Sequence, residues 1–404
     1  MANENEDQGF FPNQSAFGGT TLASVDGLDP GTVDKLRNLG FTDAEQVLGT
    51  AAVEDVQPYL EEVLGKKQTA DLVKKLRDRA GEAQLMMLEA APTGPTPLGA
   101  LEPDEEVQSI IAASAASAAE FAMEEVPVAI PPMVNHALKM SPIRSQGNRG
   151  TCVAFAMTAV HEFYRKQSGN PQDFSEQFLY HLTKQIDGIP AACGTYAVKA
   201  AQVLNNTGEC REATWPYNPA PPCNNNGVMP ANAPPDAANY KVPTIILNPK
   251  NVGAIKNALA GGSVCEFSIP VYNSWYLSAA TRQSGRITMR VGNESNNNQG
   301  HAMCLIGYQD DASAPGGGFF ILRNSWGTAW GINCPYGAGN GTIPYAYLAN
   351  DGWEAVTTPA PRRRWLPWDR WRYRPIFGEE EDGGGDTGRK TIIIEASNAD
   401  IIIR

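Results

Sequence analysis

No apolar stretch of the 404 residues approaches the ~20 needed to cross a bilayer, so no transmembrane segment is expected. Cations are also in short supply. Lys and Arg number 32 against 44 Asp and Glu, and the formal charge is -12. Phosphate binding needs a basic surface, so nucleic acid is not an expected partner. The opening "MANENEDQGF" lacks the basic start and apolar core of a secretory signal. It reads as a protein kept in the cytoplasm, with unconventional export left open. The seven cysteines, all from Cys152 onward, contain no CxxC pair. A zinc site is therefore not expected, and the chemistry read below needs no cofactor. An odd count leaves at least one thiol free if the others pair, and cytosolic thiols mostly stay reduced.

What is present is uneven along the chain. Thirty-nine Gly and thirty Pro mark much loop and linker. Residues 1–20 read as disordered. Residues 21–82 read as a small all-helical module: Asp29-Pro30-Gly31 makes a turn, and Val33, Leu36 and Leu39 repeat at helical spacing. Gly40 stops that helix, and Thr42 with Glu45 forms a capping box for the next. Residues 83–128 are Pro- and Ala-rich and read as a spacer, with a propeptide-like segment as the alternative. Residues 129–358 carry the periodic apolar runs of a globular domain. Residues 359–390 are first Arg/Trp-rich, then acidic and Gly-rich, as flexible linkers are. Residues 391–404 end the chain with two Ile triplets around Ser397–Asp400, which read as a short hairpin or an added edge strand.

One constellation carries chemistry. A cysteine nucleophile needs a helix N-terminus or a cation to favour its thiolate, a histidine to move protons, a group to orient that histidine, and donors for an oxyanion. In "QGNRGTCVAFA", Cys152 follows a Gly-rich turn and opens an apolar helix. Gln146 lies six residues upstream and could donate to an oxyanion beside the Cys152 N–H. His301 lies in the strand-like "GHAMCLIGY", and Asn324 in "FFILRNSWGTAWG", a strand ending in a turn. A lone cysteine is more often a core residue; the three companions in order argue for catalysis. His136, His161 and His181 have no such companions.

At these residues the chain resembles the papain-like cysteine peptidases. "SPIRSQGNRGTCVAFA", "DFSEQFLYHL", "GECREATWPY", "GHAMCLIGY" and "RNSWGTAWG" follow the family's order. The resemblance implies an α+β fold in two lobes, one helical and one β-rich and barrel-like, with the site in the cleft between them. It implies Cys152 as nucleophile, His301 as general acid/base, Asn324 as its orienting partner and Gln146 as oxyanion donor. It also implies substrate contacts from Gly194, Thr195, Tyr196, Gly300 and Ala302, with Trp326 shielding the Asn324–His301 bond. The helical module resembles helix-hairpin-helix domains. Two departures stand out. Arg149 holds the place of a cysteine that secreted members use in a disulfide, and Val153 replaces the usual tryptophan.

The expected function is endopeptidase cleavage through a thioester acyl-enzyme, with a polypeptide as substrate. Two alternatives stay open: transfer of the acyl group to an amine, and a low-turnover binding module on the same fold. A protein partner is expected at residues 21–82 or at the C-terminal tail. The module is acidic on balance and would swing on its linker.

Overall fold

Asp29 starts the first helix. Its carboxylate accepts from Thr32 N at 2.9 Å, and Pro30 follows where a missing N–H costs nothing. In the computed structural model this helix, α1, spans Pro30–Asn38, and Gly40 at φ +80 ends it. The model describes residues 19–90, 97–122, 130–220, 222, 226–296, 298–360, 392–396 and 399–403. The next cap differs from the expectation by one residue. Asp43, not Thr42, caps α2 (Ala44–Ala51), and Gln46 Oε1 reaches back to Thr42 N at 2.9 Å. A carboxylate is the stronger acceptor there. Glu45 turns instead to Thr20 N and Gln84.

Helices α3 (Gln57–Leu64), α4 (Lys66–Arg77) and α5 (Glu82–Leu88) complete the module around Leu36, Val47, Leu60, Leu72 and Leu76. It does not stand apart. Ala280 and Val291 of the main body join its core. Arg286 Nη1 meets Asp43 Oδ2 at 3.0 Å in a buried ion pair, Thr50 Oγ1 donates to Ser274 O at 3.0 Å, and Met289 N donates to Leu39 O at 2.9 Å. The swinging arm expected from the linker composition is therefore not what the structure holds; the module is docked on the β-rich lobe.

The spacer expectation for residues 83–128 needs the same correction. Besides α5, that stretch holds α6 (Glu105–Ala122), whose Val107 is buried against Tyr196 and Val198 and whose Glu106 pairs with Lys199 at 2.5 Å. Pro97–Leu101 lies between these anchors, extended along the main body.

The main body begins with β1 (Met133–Asn135). Helices α7 (Cys152–Gln167), α8 (Glu176–Ile186) and α9 (Ala197–Asn206) follow as the helical lobe. A seven-stranded antiparallel sheet forms the other lobe from β2 (Ile245–Ile246), β3 (Cys265–Pro270), β4 (Gly300–Asp310), β5 (Gly318–Arg323), β6 (Asn340–Pro344) and β7 (Glu354–Thr357). Its order is β2-β7-β3-β4-β5-β6, with β1 also paired to β4. Both faces of the central strands are covered, so β3 throughout and β4 as far as Tyr308 are buried without alternation, Glu266 and Ser268 included. Cys304 and Ile306 pack with Val160 and Phe163 of α7, while Met303 and Leu305 face a core with Trp275 and Tyr347.

The chain divides into two compact units, Met1–Pro361 and Arg362–Arg404. In the second, β8 (Ile392–Ala396) and β9 (Ala399–Ile403) pair antiparallel, which brings the Ile triplets side by side. The Arg/Trp-rich run lies outside them. No helix among the described residues is long and apolar enough to cross a membrane. Among the described residues five cysteines are free and buried, and Cys193 is disulfide-bonded.

Candidate active site

Twelve consecutive residues, Cys152–Phe163, are buried, so α7 runs through the interior and brings its first residue to the cleft between the lobes. Arg149 positions the turn before it. Its guanidinium is fully buried, donating to Gln177 Oε1 at 2.7 Å, Asn218 O at 2.7 Å and Asn226 Oδ1 at 2.9 Å. The ring faces of Tyr180 and Tyr217 lie 5.2 and 5.3 Å from it. Where a cysteine would staple this turn covalently, a guanidinium holds it with a fan of charge-assisted hydrogen bonds.

From the other lobe, β4 delivers His301 and the residue after it. The Ala302 N–H points at Cys152 Sγ, 3.4 Å away. His301 Nε2 lies 2.8 Å from Asn324 Oδ1. Because Oδ1 only accepts, Nε2 carries the hydrogen and Nδ1 is the basic nitrogen; Nδ1 is buried with no partner among the described residues. The indole of Trp326 stacks on the imidazole at 4.4 Å and 23°, closing that side to water. Gln146 Oε1 accepts from Ser325 Oγ at 2.5 Å, leaving its amide to donate. The structure thus gathers Gln146, Cys152, His301, Asn324 and Trp326 at one place.

The same place is occupied by the chain itself. Gly99 N and Ala100 N donate to Gly300 O at 3.2 Å, Thr195 N donates to Gly99 O at 3.0 Å, and Leu101 N donates to Thr195 O at 3.3 Å. Gln146 Nε2 donates to Pro97 O at 3.2 Å and to Arg149 O at 2.8 Å. Among the residues expected to bind substrate, Thr195 and Gly300 hydrogen-bond this strap, Gly194 packs under Leu101, and Ala302 shares a core with Ala100. Tyr196 turns toward Asp104 instead, 3.4 Å away. Trp326 serves the histidine. Gly300 has no room for a side chain, since a Cβ would lie 2.0 Å from the Trp353 ring.

Cys152 and His301 are both fully buried, the sulfur with the strap's Gly99 N–H against it. Burial pushes the Cys152 thiol up to about 12, against the pull of N–H groups from Ala302, Gly99 and Val153. Burial likewise lowers His301 to about 4, against its bond to Asn324. A raised thiol keeps its proton and a lowered imidazole stays without one, so in the strapped chain both groups are neutral at pH 7. A difference ultraviolet titration of the chain against Cys152→Ala should therefore show no Cys152 thiolate in the neutral range, only toward pH 12. A thiolate signal at pH 7 would contradict the burial.

Sequence reasoning missed three participants. Ser325 orients Gln146 through a hydroxyl next to a motif residue. Arg149 was visible only as a substitution. The strap carried no signal beyond its linker composition. Among the described residues, no group of three or more His, Cys, Asp and Glu is placed to hold a metal ion.

The family model "Papain family cysteine protease" matches residues 131–337, just over half of the chain. The chain belongs to that family. It is 29% identical over 224 residues to papain from Carica papaya, covering 53% of this chain and 57% of papain. It is 27% identical over 238 residues to an uncharacterized peptidase C1-like protein of Acanthamoeba polyphaga mimivirus, covering 53% of this chain and 70% of the viral protein. Among solved structures, the fold is similar to that of xylellain, a cysteine protease from Xylella fastidiosa, with a TM-score of 0.51 at 24% identity. That match covers 66% of this chain and 97% of xylellain.

Proposed function

We propose that this chain is a cysteine endopeptidase acting through Cys152, His301 and Asn324, and that residues 97–101 hold it latent. The observation that carries the chemistry is the pairing of two short contacts: His301 tied through Nε2 to Asn324, and the next backbone N–H resting on Cys152 Sγ.

With the strap withdrawn, water and the α7 N-terminus favour the thiolate, and the Cys152 proton passes to His301 Nδ1. The sulfur attacks the substrate carbonyl carbon. The oxyanion is held by the Cys152 N–H and the Gln146 amide, which the strap engages with Pro97 O. His301 gives its proton to the leaving amine, and a thioester remains. A water, deprotonated by His301, attacks the thioester; the acid product departs and the thiol is restored.

The strap is not placed for this reaction. The carbonyl at Gln146 belongs to Pro97, but the group set against the sulfur is the Gly99 N–H, two residues on. Attack needs one carbonyl to meet both groups. Its ends are also held, by the docked module upstream and by α6 downstream.

Hydrolysis of a fluorogenic peptide panel by a chain with its strap displaced tests the reading. His301→Ala should fall nearly as far as loss of the sulfur. Asn324→Ala should lose about 100-fold, because it lets the imidazole turn without removing it. Equal rates for Asn324→Ala and its parent would remove Asn324 from the mechanism.

A further inference from the structure

The cleft holds two carboxylates that the mechanism does not use. Ser268 of β3 sits between Ala302 of β4 and Glu354 of β7, and Glu266 sits one row behind, between Cys304 and Val356. Residues paired across antiparallel strands, and those two apart on one strand, share a face. That face runs from the cleft to beneath α7: Ala302 and Val356 pack with Cys152, Ala197 and the strap's Ala100, and Cys304 packs with Val160. Ala100 of the strap, held between Thr195 and Gly300, packs with Ala302 and Val356 on this side of the sheet.

Both carboxylates are fully buried. Glu354 accepts from Ala197 N and Val198 N at the start of α9, both at 2.9 Å. Glu266 Oε1 accepts from Ser268 Oγ at 2.7 Å, but Oε2 has no partner among the described residues. The strongest charged neighbour of Glu266 is Glu354, and no salt bridge among the described residues reaches either group. Burial raises both, Glu354 to about 7. Burial keeps protons on a carboxyl pair of this kind, and a cation brought beside the open Glu266 oxygen would favour the ionised form.

We propose that Glu266 and Glu354 form the acidic floor of the substrate pocket that Ala100 plugs, and that this pocket selects a lysine or arginine side chain. The inference rests on the peptidase reading for its substrate. A residue held between Thr195 and Gly300 points its side chain where Ala100 does, and a long basic side chain carries its charge past Ala302 to Glu266. Alanine closes the pocket without answering the carboxylates, so the strap occupies the site while remaining displaceable.

The test compares kcat/KM, in the full-length Gly99→Leu chain, for peptides identical except for arginine, lysine or norleucine at that position. Arginine and lysine should exceed norleucine by about tenfold or more, and Glu266→Gln and Glu354→Gln should each shrink that ratio. The ratio cancels any general loss of activity in the variants. Norleucine preferred, or a basic preference surviving both substitutions, would overturn the proposal while leaving the peptidase reading intact; no cleavage of any peptide would count against the peptidase reading instead. A second measurement needs no turnover. In the full chain, Ala100→Lys should slow alkylation of Cys152 about tenfold relative to Ala100→Met, and Glu266→Gln should narrow that gap. Equal alkylation of the two would overturn the pocket on its own.

Discussion

Gly99→Leu should raise peptide hydrolysis about tenfold or more over the unaltered chain. Gly99 has no room for a side chain where the strap crosses the turn before Cys152. A Cβ there would lie 2.1 Å from Gly150 O and 2.4 Å from Gly150 C. These are backbone atoms, fixed by the buried Arg149 guanidinium beside them, so the clash cannot be relieved by turning a side chain. Gly99 is not among the glycines with positive φ, so leucine meets no backbone penalty and the contact alone is tested. Overpacking of this kind costs ~1–3 kcal/mol, or ~5- to ~150-fold in the ratio of closed to open cleft. The module and α6 keep their own anchors, Asp43–Arg286 and Glu106–Lys199, so the protein should stay folded while the strap lifts. Equal hydrolysis by the two proteins would mean that the strap does not gate the site.

In that unlatched chain, Cys152→Ala should lower turnover by something on the order of a millionfold, since the nucleophile and its proton acceptor work as a unit. The change deletes one buried sulfur and should cost about 1 kcal/mol of stability, leaving the thermal transition nearly in place. Wild-type turnover in Cys152→Ala would end the cysteine-peptidase mechanism, whatever the fold.

The catalytic centre was legible in the sequence because each member sits in a local pattern with a chemical reason. A Gly-rich turn precedes a helix at Cys152; one strand carries His301 and another ends just before Asn324; Gln146 lies just upstream of Cys152. The two-lobed α+β fold followed from the same patterns. The strap was not legible, and the reason is physical. It holds the cleft through backbone N–H and C=O groups, which every linker possesses, and through a methyl and a glycine, which carry no signature. Docking of the helical module was hidden for a different reason. Asp43 and Arg286 lie 243 residues apart, and nothing local to either predicts a buried pair. Glu266 and Glu354 were hidden in apolar-looking strands, where a single charge reads as an exposed position until the sheet's other face is seen to be covered.

The most direct measurement is alkylation of the full chain and of Gly99→Leu by a peptidyl epoxide, with the adduct mapped by mass spectrometry. The expected result is one adduct on Cys152, formed at least about tenfold faster in Gly99→Leu, with the free thiols at Cys210, Cys265, Cys304 and Cys334 unmodified. Peptide hydrolysis blocked by an adduct on another cysteine, with Cys152 intact, would contradict the assignment of the nucleophile.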